Sequence, residues 1–344
     1  MSDGSSQRRA FVTGATGFLG LNLVEQLLAA DWHVTALRRE KLRHRDLDRY
    51  PVTQVTGDLL DPDSLDAAVP KDCDAVFHTA AMTSVWRKQA PIQNQINIDG
   101  TESLVDAALK NGAKRFIHTS TWNVYDWSSG AITEDTPQTA GSSWINYNRS
   151  KFEAEEVIRR AVTERGLDAV ILNPSHIVGR FDRQNWAQLI MMAAIGKLPG
   201  VPPGSGSFAH GQAVARAHIA AVDKGRTGQN YLLGGPDATF LEFVQTVADM
   251  ARQNKRPRRT VPAPIMRLMG KVEGLISAAT AKPPQITPEA VAMVTARVRI
   301  ASTRAIDELG YEPSTLHTAI SDAYDWMLRE KMIYAYGKPP AKKR

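Results

Sequence analysis

The sequence lacks the features that mark secreted or membrane-spanning proteins. Its 344 residues include a single cysteine, Cys73, so no internal disulfide can form and a disulfide-built secreted scaffold is excluded. No apolar stretch reaches the roughly 18 residues of a membrane-spanning helix, and the N-terminal arginines are not followed by the apolar run of a signal peptide. We therefore expect a cytoplasmic protein without a membrane span.

Metal-binding and nucleic-acid-binding patterns are also missing. His176, His210 and His218 are not spaced as metal ligands, so we expect no metal site and treat these histidines as packing or surface residues. The net charge of +6 arises from basic clusters at 38–45, at 252–259 and at the C-terminus, not from a basic helix interleaved with aromatics. The last two clusters are typical of solvated surface runs, and we expect no specific nucleic-acid partner.

The first half of the chain alternates short apolar runs with longer helical patterns. This alternation predicts an α/β fold with a doubly wound parallel sheet and helices on both faces. The strands are expected at 9–13, 33–37, 52–56, 74–78, 115–120 and 168–173, and the helices at about 18–30, 94–111 and 146–165.

The stretch FVTGATGFLG, residues 11–20, contains three glycines where an apolar run passes into a helical pattern. A strand that turns sharply into a helix needs φ angles that side chains disfavour, and a phosphate reaches the helix N-terminus only where no Cβ blocks it. Gly14, Gly17 and Gly20 meet both needs, and the helix dipole favours the negative charge of a pyrophosphate. The spacing and its context predict a dinucleotide site on a Rossmann-type sheet.

The end of the second predicted strand indicates which dinucleotide is bound. An acidic residue there would bind the ribose 2′-hydroxyl of NAD, but the sequence reads HVTALRRE, with Arg38 and Arg39 in its place. A guanidinium suits the 2′-phosphate of NADP. We therefore expect NADP(H) as the preferred cofactor, with NAD(H) as the alternative.

Residues 147–151, YNRSK, place Tyr147 and Lys151 four positions apart and so on one face of a predicted helix. A phenol with its ordinary pKa of about 10 exchanges protons poorly at neutral pH, whereas a neighbouring ammonium favours the phenolate and lowers that pKa. The pair is a candidate acid–base catalyst. The spacing alone is common by chance, and it gains its meaning from the glycine loop upstream.

Seven motifs occur along the chain: TGATGFLG (13–20), GDLLD (57–61), HTAA (78–81), NIDGTESL (97–104), HTSTWNVYD (118–126), YNRSK (147–151) and NPSHIVG (173–179). With these motifs, the sequence resembles the extended short-chain dehydrogenase/reductase superfamily, including its NAD-dependent epimerase/dehydratase family, over nearly its whole length. Within it, the pattern is most similar to the dihydroflavonol-reductase and 3β-hydroxysteroid-dehydrogenase branch, with hopanoid-associated epimerase-like proteins also close.

The resemblance implies roles for individual residues. Asp58 and Leu59 would flank the adenine, Asn97 would support the active site, and Tyr147 and Lys151 would be catalytic. The cofactor-binding residues that it implies are Gly14, Thr16, Gly17, Phe18, Leu19, Gly20, Arg38, Arg39, Asp58, Leu59, Thr79, Ala80, Ala81, Lys151, Asn173, Pro174 and Ser175.

A third catalytic member implied by the resemblance is a hydroxyl at the end of the fifth strand, where the sequence offers Ser120 and Thr121. Counting back from Val124 and Tyr125, which resemble the family's Val-Tyr pair, favours Thr121, and Ser120 is the alternative. This hydroxyl would bond the substrate oxygen and hold it near the phenol.

Together these residues indicate an NADPH-dependent reductase of a ketone or aldehyde. Hydride would pass from C4 of NADPH to the carbonyl carbon while Tyr147 donates a proton to the oxygen. Lys151 would hold the nicotinamide ribose, and Asn97 would position a water that resupplies the proton. Two alternatives stay open, a nucleotide-sugar epimerase or dehydratase with tightly bound NAD(P), and a non-catalytic NADP-binding redox sensor, which the intact Tyr147 and Lys151 disfavour.

The domain organisation follows from a change of texture after Gly179, where Gly/Pro-rich and Met-rich segments interrupt the alternation. We expect a dinucleotide-binding domain at 8–180 with a later contribution from about 209–235, a substrate-binding region at 181–208 and 236–335, and flexible tails at 1–7 and 336–344.

The resemblance further implies a homodimer that pairs through the helices at 94–111 and 146–165.

Aromatic residues are sparse, at 7% of the chain, yet several tryptophans fall in segments expected to border the substrate cleft. Some of them belong in the core, but several bulky rings favour an apolar or ring-bearing carbonyl or alcohol substrate over a highly hydroxylated one. These tryptophans are Trp86, Trp122, Trp127, Trp144 and Trp186.

The sequence departs from the family pattern at two positions. Asn173-Pro174 stands where the family often has Arg-Pro, so the contact made there is expected to differ. The segment AHGQAVARAH, 209–218, lacks the usual aspartate, so a contact that commonly ties the two domains is not expected in its usual form.

The segment 263–277 has apolar residues at helical spacing. We expect this face to pack on the core, with a cover over the substrate and contact with a membrane surface as the alternatives. The apolar positions are Ile265, Leu268, Met269, Val272 and Ile276.

Overall fold

The structure is a computed structural model that describes residues 7–39, 45–128, 130–253, 256–280, 282–284 and 286–334. The predicted tails lie outside the described residues, except for Gln7. Residues 40–44, 254 and 255 of the basic clusters and the C-terminal basic cluster also lie outside them.

A seven-stranded parallel sheet forms the centre of the fold. Its strands are β1 (Arg9–Thr13), β2 (His33–Arg38), β3 (Thr53–Thr56), β4 (Ala75–His78), β5 (Phe116–Thr119), β7 (Ala169–Pro174) and β10 (Asn230–Leu233). The shorter strands are β6 (Ala131–Ile132), β8 (His176–Val178), β9 (Ser205–His210), β11 (Asp237–Thr239) and β12 (Arg299–Ile300). The predicted α/β architecture with a parallel sheet is confirmed.

Helices cover both faces of this sheet because alternate strand residues point to opposite sides. Ala10 and Val12 of β1 join one apolar cluster, whereas Phe11 joins the cluster on the other side. Helices α1 and α7 contribute to the first cluster, and α2, α4 and α5 to the second. The helices are α1 (Phe18–Ala29), α2 (Pro62–Ala68), α3 (Ala90–Asn94), α4 (Gly100–Lys110), α5 (Asn146–Arg165), α6 (Trp186–Ala194), α7 (Gly211–Lys224), α8 (Phe240–Met250), α9 (Ala263–Thr280), α10 (Pro288–Thr295) and α11 (Leu316–Arg329).

The strand order, β10-β7-β5-β4-β1-β2-β3, reverses direction between β1 and β4. The chain runs outward from β1 to β3 and then returns to build the other half from β4. The connections that leave β1 and β4 therefore diverge, and sheets of this type bind ligands in the crevice between them.

The remaining strands form two smaller sheets, separate from the large one, in the described residues. Strands β11, β9 and β8 make a three-stranded sheet, and β12 pairs with β6. Around the first of these, rings from β8, β9, α6 and α8 pack together, with Trp186 stacked on Phe240 at 5.5 Å between ring centres. His176 lies inside this cluster, 5.4 Å from Trp122, so it is a packing residue.

The helix predicted at 94–111 begins earlier and contains an irregular turn. Helix α3 leads into a π-helical turn at Gln95–Asp99, which leads into α4. The extra residue in such a turn shifts the register of the side chains, and π turns are frequent at functional sites. Asn97 lies in the middle of it.

The expectation that α9 packs its apolar face on the core is wrong. All five side chains predicted to pack are exposed, and α9 instead buries Met266, Gly270 and Ser277. Gly270 and Gly274 lie against Pro288 and α10, because the absence of a side chain lets the two helices approach closely.

Candidate active site

The glycine loop lies where the chain passes from β1 into α1. Gly14 has φ of +69°, and a Cβ there would lie 2.6 Å from the backbone nitrogen of Ala80. A Cβ on Gly20 would overlap the carbonyl oxygen of Gly14. No described side chain caps α1 at Gly17, and the first turn of the helix holds no acidic residue. The free N–H groups and the helix dipole make this end of α1 suitable for an anion such as pyrophosphate.

Two adjoining cavities extend from this loop along the carboxyl ends of the strands. One, of about 550 Å³, reaches the end of β2, and the other, of about 360 Å³, reaches α5. Both are lined by Gly14, Thr16, Gly17, Thr79 and Ala81, so they meet at the glycine loop. The predicted residues Arg38, Arg39, Asp58, Leu59 and Ala80 line only the first, and Phe18, Leu19, Gly20, Ser120, Tyr147 and Lys151 line only the second.

Two arginines mark the far end of the first cavity. Arg39 is exposed, and Arg38 has a buried Nε that finds no hydrogen-bond partner among the described residues. A buried donor without a partner favours an acceptor ligand, and a guanidinium pair suits a phosphate. Together with the glycine loop, these residues are suited to hold an NAD(P) dinucleotide.

Tyr147 and Lys151 lie in the first two turns of α5 and face the second cavity. The buried Lys151 Nζ donates to the carbonyl oxygen of Thr119 at 2.8 Å and to His118 Nε2 at 3.3 Å. Burial lowers the pKa of Lys151 to about 8, against the opposing effect of the Glu155 carboxylate. The lysine is therefore still charged at neutral pH, but only by a narrow margin.

The pKa of Tyr147 shifts upward, opposite to the direction expected from the sequence. Burial of the phenol raises the pKa, and the Thr121 hydroxyl lowers it in part. The Lys151 ammonium is held by Thr119 and His118, so its hydrogen bonds are directed at these groups. Tyr147 is thus a protonated phenol at neutral pH, the form that a proton donor requires.

His118 is a part of the site that sequence reasoning missed. Its ring is fully buried beside His78, with ring centres 5.4 Å apart, and burial together with Lys151 lowers the pKa of His118 well below its usual value. The ring is therefore neutral and accepts from Lys151 through Nε2, which assigns the proton to Nδ1. Strand alternation is the signal that could have found it, because His118 and Ser120 are two residues apart and so share a face.

Asn97 connects the π turn to the cofactor side of the cleft. Its Oδ1 accepts from the Met82 backbone N–H at 2.8 Å, and its Nδ2 donates to the Met82 carbonyl at 3.1 Å and to Ser150 Oγ at 2.9 Å. Asn97 thus fixes the chain directly after Ala81 and ties it to α5. In this structure its contacts are those of a positioning residue.

The two candidate hydroxyls after β5 have different surroundings. Thr121 Oγ1 accepts from the backbone N–H and the side-chain amide of Asn123, at 3.3 and 3.2 Å, and its hydroxyl also lowers the pKa of Tyr147. Ser120 Oγ is buried, lines the second cavity and has no partner among the described residues. Ser120 thus lines the cleft and Thr121 contacts Tyr147, and the choice between them stays a prediction.

Asn173, Pro174 and Ser175 lie at the end of β7 beneath the cleft. Asn173 is fully buried and donates to Glu155 at 2.6 Å and to the Thr121 carbonyl at 3.1 Å. Glu155 also accepts from Asn230 at 2.9 Å, so the asparagine that replaces the family's arginine completes a buried polar network. These contacts support the chain around Thr121, and a direct role in cofactor binding stays a prediction.

A loop at 181–185 lines the second cavity and was not singled out residue by residue from the sequence. Phe181 has φ of +72°, and the Asp182 carboxylate accepts the backbone N–H groups of Gln184, Asn185 and Ala187 at 2.9–3.0 Å. An aspartate just before a helical run is a turn signal that could have located this loop.

Asp322 of α11 contacts the 209–218 segment, which lacks the aspartate usual in the family. Asp322 accepts from Arg180 at 2.7 Å and lies 3.2 Å from His210 Nε2. Although burial raises the pKa of Asp322, the hydrogen bonds from His210 and Arg180 lower it to about 2. Arg180 also contacts Glu25 of α1 at 3.3 Å, so this junction connects α1, the end of β9 and α11.

The remaining histidine and the tryptophans have structural contacts. His218 is fully buried and bonds Thr119 Oγ1 at 2.8 Å. Trp122 is buried directly after Thr121, whereas the half-exposed Trp144 lies under the Arg87 guanidinium at 6.0 Å. Across the described ranges, no group of three or more histidine, cysteine or carboxylate side chains is arranged to hold a metal ion.

Comparison with known proteins agrees with this geometry. The family model described as "NAD dependent epimerase/dehydratase family" matches residues 10–234, which include the glycine loop, Tyr147 and Lys151. The chain belongs to the NAD-dependent epimerase/dehydratase family. Members of this family within the extended short-chain dehydrogenase/reductases are oxidoreductase-type proteins that bind NAD(P), and the expected family is thereby confirmed.

Relatives of this NAD-dependent epimerase/dehydratase family member match it over almost its full length. "Sterol demethylase protein B" of Methylococcus capsulatus is 30% identical, over 94% of this chain and 99% of its own. A "Putative dihydroflavonol 4-reductase" of Synechocystis is 29% identical, over 92% and 93%. The solved structure of gox2253 superposes with a TM-score of 0.82 at 27% identity, over 94% and 99%.

Proposed function

We propose that this protein is an NADPH-dependent reductase of a ketone or aldehyde. The observation that carries the proposal is the junction of the two cavities at the glycine loop, which puts Arg38 and Arg39 at one end of a continuous cleft and Tyr147 and Lys151 at the other. Such a cleft matches a dinucleotide with a phosphorylated adenosine ribose at the first end and its reactive ring at the second. A nicotinamide cofactor bound there supplies the hydride.

The side chains of the second cavity perform the proton chemistry. Tyr147 donates its phenolic proton to the carbonyl oxygen as the alcohol forms. The Lys151 ammonium stabilises the phenolate that remains, because an adjacent positive charge favours the ionised phenol. His118 and the Thr119 carbonyl hold that ammonium in place. The Thr121 hydroxyl, or Ser120 in its place, orients the carbonyl oxygen toward the phenol.

The substrate proposed is apolar or ring-bearing. Trp122, which directly follows Thr121, belongs to an apolar cluster with Trp127. Its ring also contacts His176, which packs against Trp186. The names of two relatives refer to a sterol and a dihydroflavonol, both of which are ring compounds. These observations favour a carbonyl on a fused or aromatic ring system over a nucleotide sugar.

Replacement of the phenol tests the reaction. In Tyr147→Phe, we expect NADPH to bind nearly as in the wild type, while turnover falls by about 10²- to 10⁴-fold because the proton donor is gone. The measurement is the loss of NADPH absorbance with a panel of aromatic, aliphatic and steroid-like ketones and aldehydes, together with NADPH binding by fluorescence.

Matched variants give this experiment its controls. Tyr50→Phe removes a phenol whose hydroxyl donates to Glu25 and which lines neither cavity, so turnover should be unchanged. Ser120→Ala and Thr121→Val, measured in the same assay, distinguish the two hydroxyls. Turnover retained by Tyr147→Phe would overturn the assignment, and a wild type that binds NADPH but reduces no carbonyl would favour the epimerase or dehydratase alternative, or the redox sensor.

The cofactor preference has its own test. We expect Arg38→Ala to lower the NADPH/NADH affinity ratio by about 10- to 100-fold, because a charge-assisted contact to the 2′-phosphate is lost. Affinities for both cofactors are measured by fluorescence titration, with Arg258→Ala, an exposed arginine before α9, as the control. An unchanged ratio in Arg38→Ala would refute the proposed preference.

A further inference from the structure

Helix α9 carries an unusual share of the exposed apolar side chains. Of the twelve large apolar side chains that are exposed in the described residues, six lie on this helix. Exposed apolar patches of this kind mark interaction sites more often than isolated apolar residues do. The six are Ile265, Leu268, Met269, Val272, Leu275 and Ile276.

These side chains share one face, opposite the face by which the helix is attached. At 100° per residue, the direction of Val272 is the centre of the apolar face, and Leu275, 72% exposed, is its most exposed member. Met266, Gly270 and Ser277 lie on the opposite side and are buried. The apolar face therefore points away from the rest of the described protein.

The charge around this face is predominantly positive. Residues 252–284 contain eight lysines and arginines and one acidic residue, Glu273. Arg267 and Lys271 are exposed on the helix itself, and Arg258 and Arg259 are exposed just before it. At 100° per residue, Lys271 borders the apolar face on one side with Arg267 beyond it, and Glu273 borders the other side. An apolar face beside mainly basic residues is the arrangement of helices that lie in the interface of an anionic membrane.

A second copy of this chain is the main competing occupant. In a symmetric dimer across α9, the basic residues beside the face would approach those of the partner copy, since the same patch is used on both subunits. The resulting repulsion between like charges opposes this pairing. An anionic lipid surface has the opposite charge and also accepts apolar side chains, so it satisfies both properties of the face.

The helix is also connected to the cleft. Trp86 Nε1 donates to Ser277 Oγ at 3.1 Å, and Arg87 pairs with Glu289 of α10 at 3.0 Å. Trp86 and Arg87 follow Met82, the residue fixed by Asn97, so the α9–α10 pair rests on the segment that leaves the cofactor side of the cleft. No helix in the described residues is long and apolar enough to span a membrane, and the apolar face of α9 is suited to lie on one.

We propose that α9 docks this protein on the surface of an anionic lipid bilayer, with its apolar face in the interface and its basic residues at the lipid phosphates. This docking is independent of the reaction proposed above.

Vesicle co-sedimentation of the full-length protein tests the docking. We expect binding to vesicles of phosphatidylcholine and phosphatidylglycerol in equal parts, and much weaker binding to phosphatidylcholine alone. Leu268→Glu/Leu275→Glu should weaken binding to the mixed vesicles by about tenfold or more, because apolar burial is lost and two negative charges are added to the face. Arg267→Gln/Lys271→Gln should weaken it by about tenfold and reduce its dependence on salt.

The controls separate the docking from folding and from the reaction. Ile306→Glu changes an exposed apolar residue far from α9 in sequence and should bind the vesicles as the wild type does. NADPH binding by each variant reports an intact fold. A wild type that does not sediment with anionic vesicles overturns the proposal, and so does a dimer that Leu268→Glu/Leu275→Glu converts to a monomer, since a second copy then covers the face.

Discussion

The strands beneath the cofactor cleft and the helix α9 use apolar residues in opposite ways. Every residue of β4 and of β7 is buried, whereas α9 buries three of its 18 residues. The strands are nearly continuous apolar runs, as expected of strands buried on both faces, and α9 has apolar residues at helical spacing. The spacing therefore determines which face of an element is apolar, but what covers that face depends on the neighbouring elements.

The charged residues of the two regions also differ in how far they are buried. Lys151, beneath the cleft, is buried and held by two acceptors, so its charge is sensitive to its surroundings. The basic residues around α9 are exposed to solvent, which screens their interactions. A substitution should consequently have large effects near the sheet and small effects on the stability of the α9 region.

Truncation of one apolar side chain in each region measures this contrast directly. Phe77→Ala in β4 should lower the free energy of unfolding by about 3–5 kcal/mol, because it leaves a cavity next to Trp32 in the core. Leu275→Ala on the apolar face of α9 should change it by less than about 0.5 kcal/mol. Urea unfolding followed by circular dichroism gives both values. Equal losses in the two variants would mean that the α9 face is covered in the folded protein.

Two glycines with the same φ allow a comparison between a closely packed position and an open one. Gly14 and Gly166 both have φ of +69°, but a Cβ would meet the Ala80 backbone at Gly14 and nothing within 4 Å at Gly166. We expect Gly166→Ala to destabilise by about 1 kcal/mol from backbone strain alone, and Gly14→Ala by about 2–4 kcal/mol from strain and overlap. Thermal unfolding of both variants tests the difference. Similar melting temperatures would show that the loop moves aside without penalty.

The smallest effect concerns the charge of Lys151. Because its pKa is lowered to about 8, the ammonium is present below pH 8 and is lost as the pH rises through that value. We expect kcat/KM for carbonyl reduction to be about halved at pH 8 and to fall by about tenfold near pH 9. In Lys151→Arg, whose charge persists, the overall rate should be lower but this decline should be absent.

Unfolding does not account for such a decline. A lysine whose pKa is lower in the folded than in the unfolded state favours folding more as it loses its proton, so this group raises stability between pH 8 and pH 10. Melting temperatures measured across the same range provide the control. A rate that stays constant up to pH 9 would remove Lys151 from the proposed mechanism.

Local patterns were sufficient to predict the elements that surround the glycine loop. The strand at 9–13 and the helix at 146–165 have the predicted bounds, because a buried strand and a long helix with alternating polar and apolar faces leave strong signals. His118 and the 181–185 loop were missed, since their place in the site arises from contacts between distant segments. The direction of the Tyr147 pKa shift was also missed, because it depends on burial that no short motif encodes.

The outcome for α9 has a different cause. Its helical spacing was read correctly, but the assumption that an apolar face meets the core was wrong. Asn173 is a second case in which the sequence showed a residue but not its partner. Its departure from the family's arginine was visible in the sequence, whereas its partner Glu155 was visible only in the fold.

The ion pairs of Arg180 connect helix α1 to the loop that lines the second cavity. Arg180 precedes the loop that lines the second cavity, and it is bonded both to Glu25 on α1 and to Asp322 on α11. Helix α1 starts at the glycine loop and runs to Glu25 as one rigid rod. An anion bound at the first turn of α1 and the loop at 181–185 are therefore joined by one continuous series of side-chain contacts, through Glu25 and Arg180.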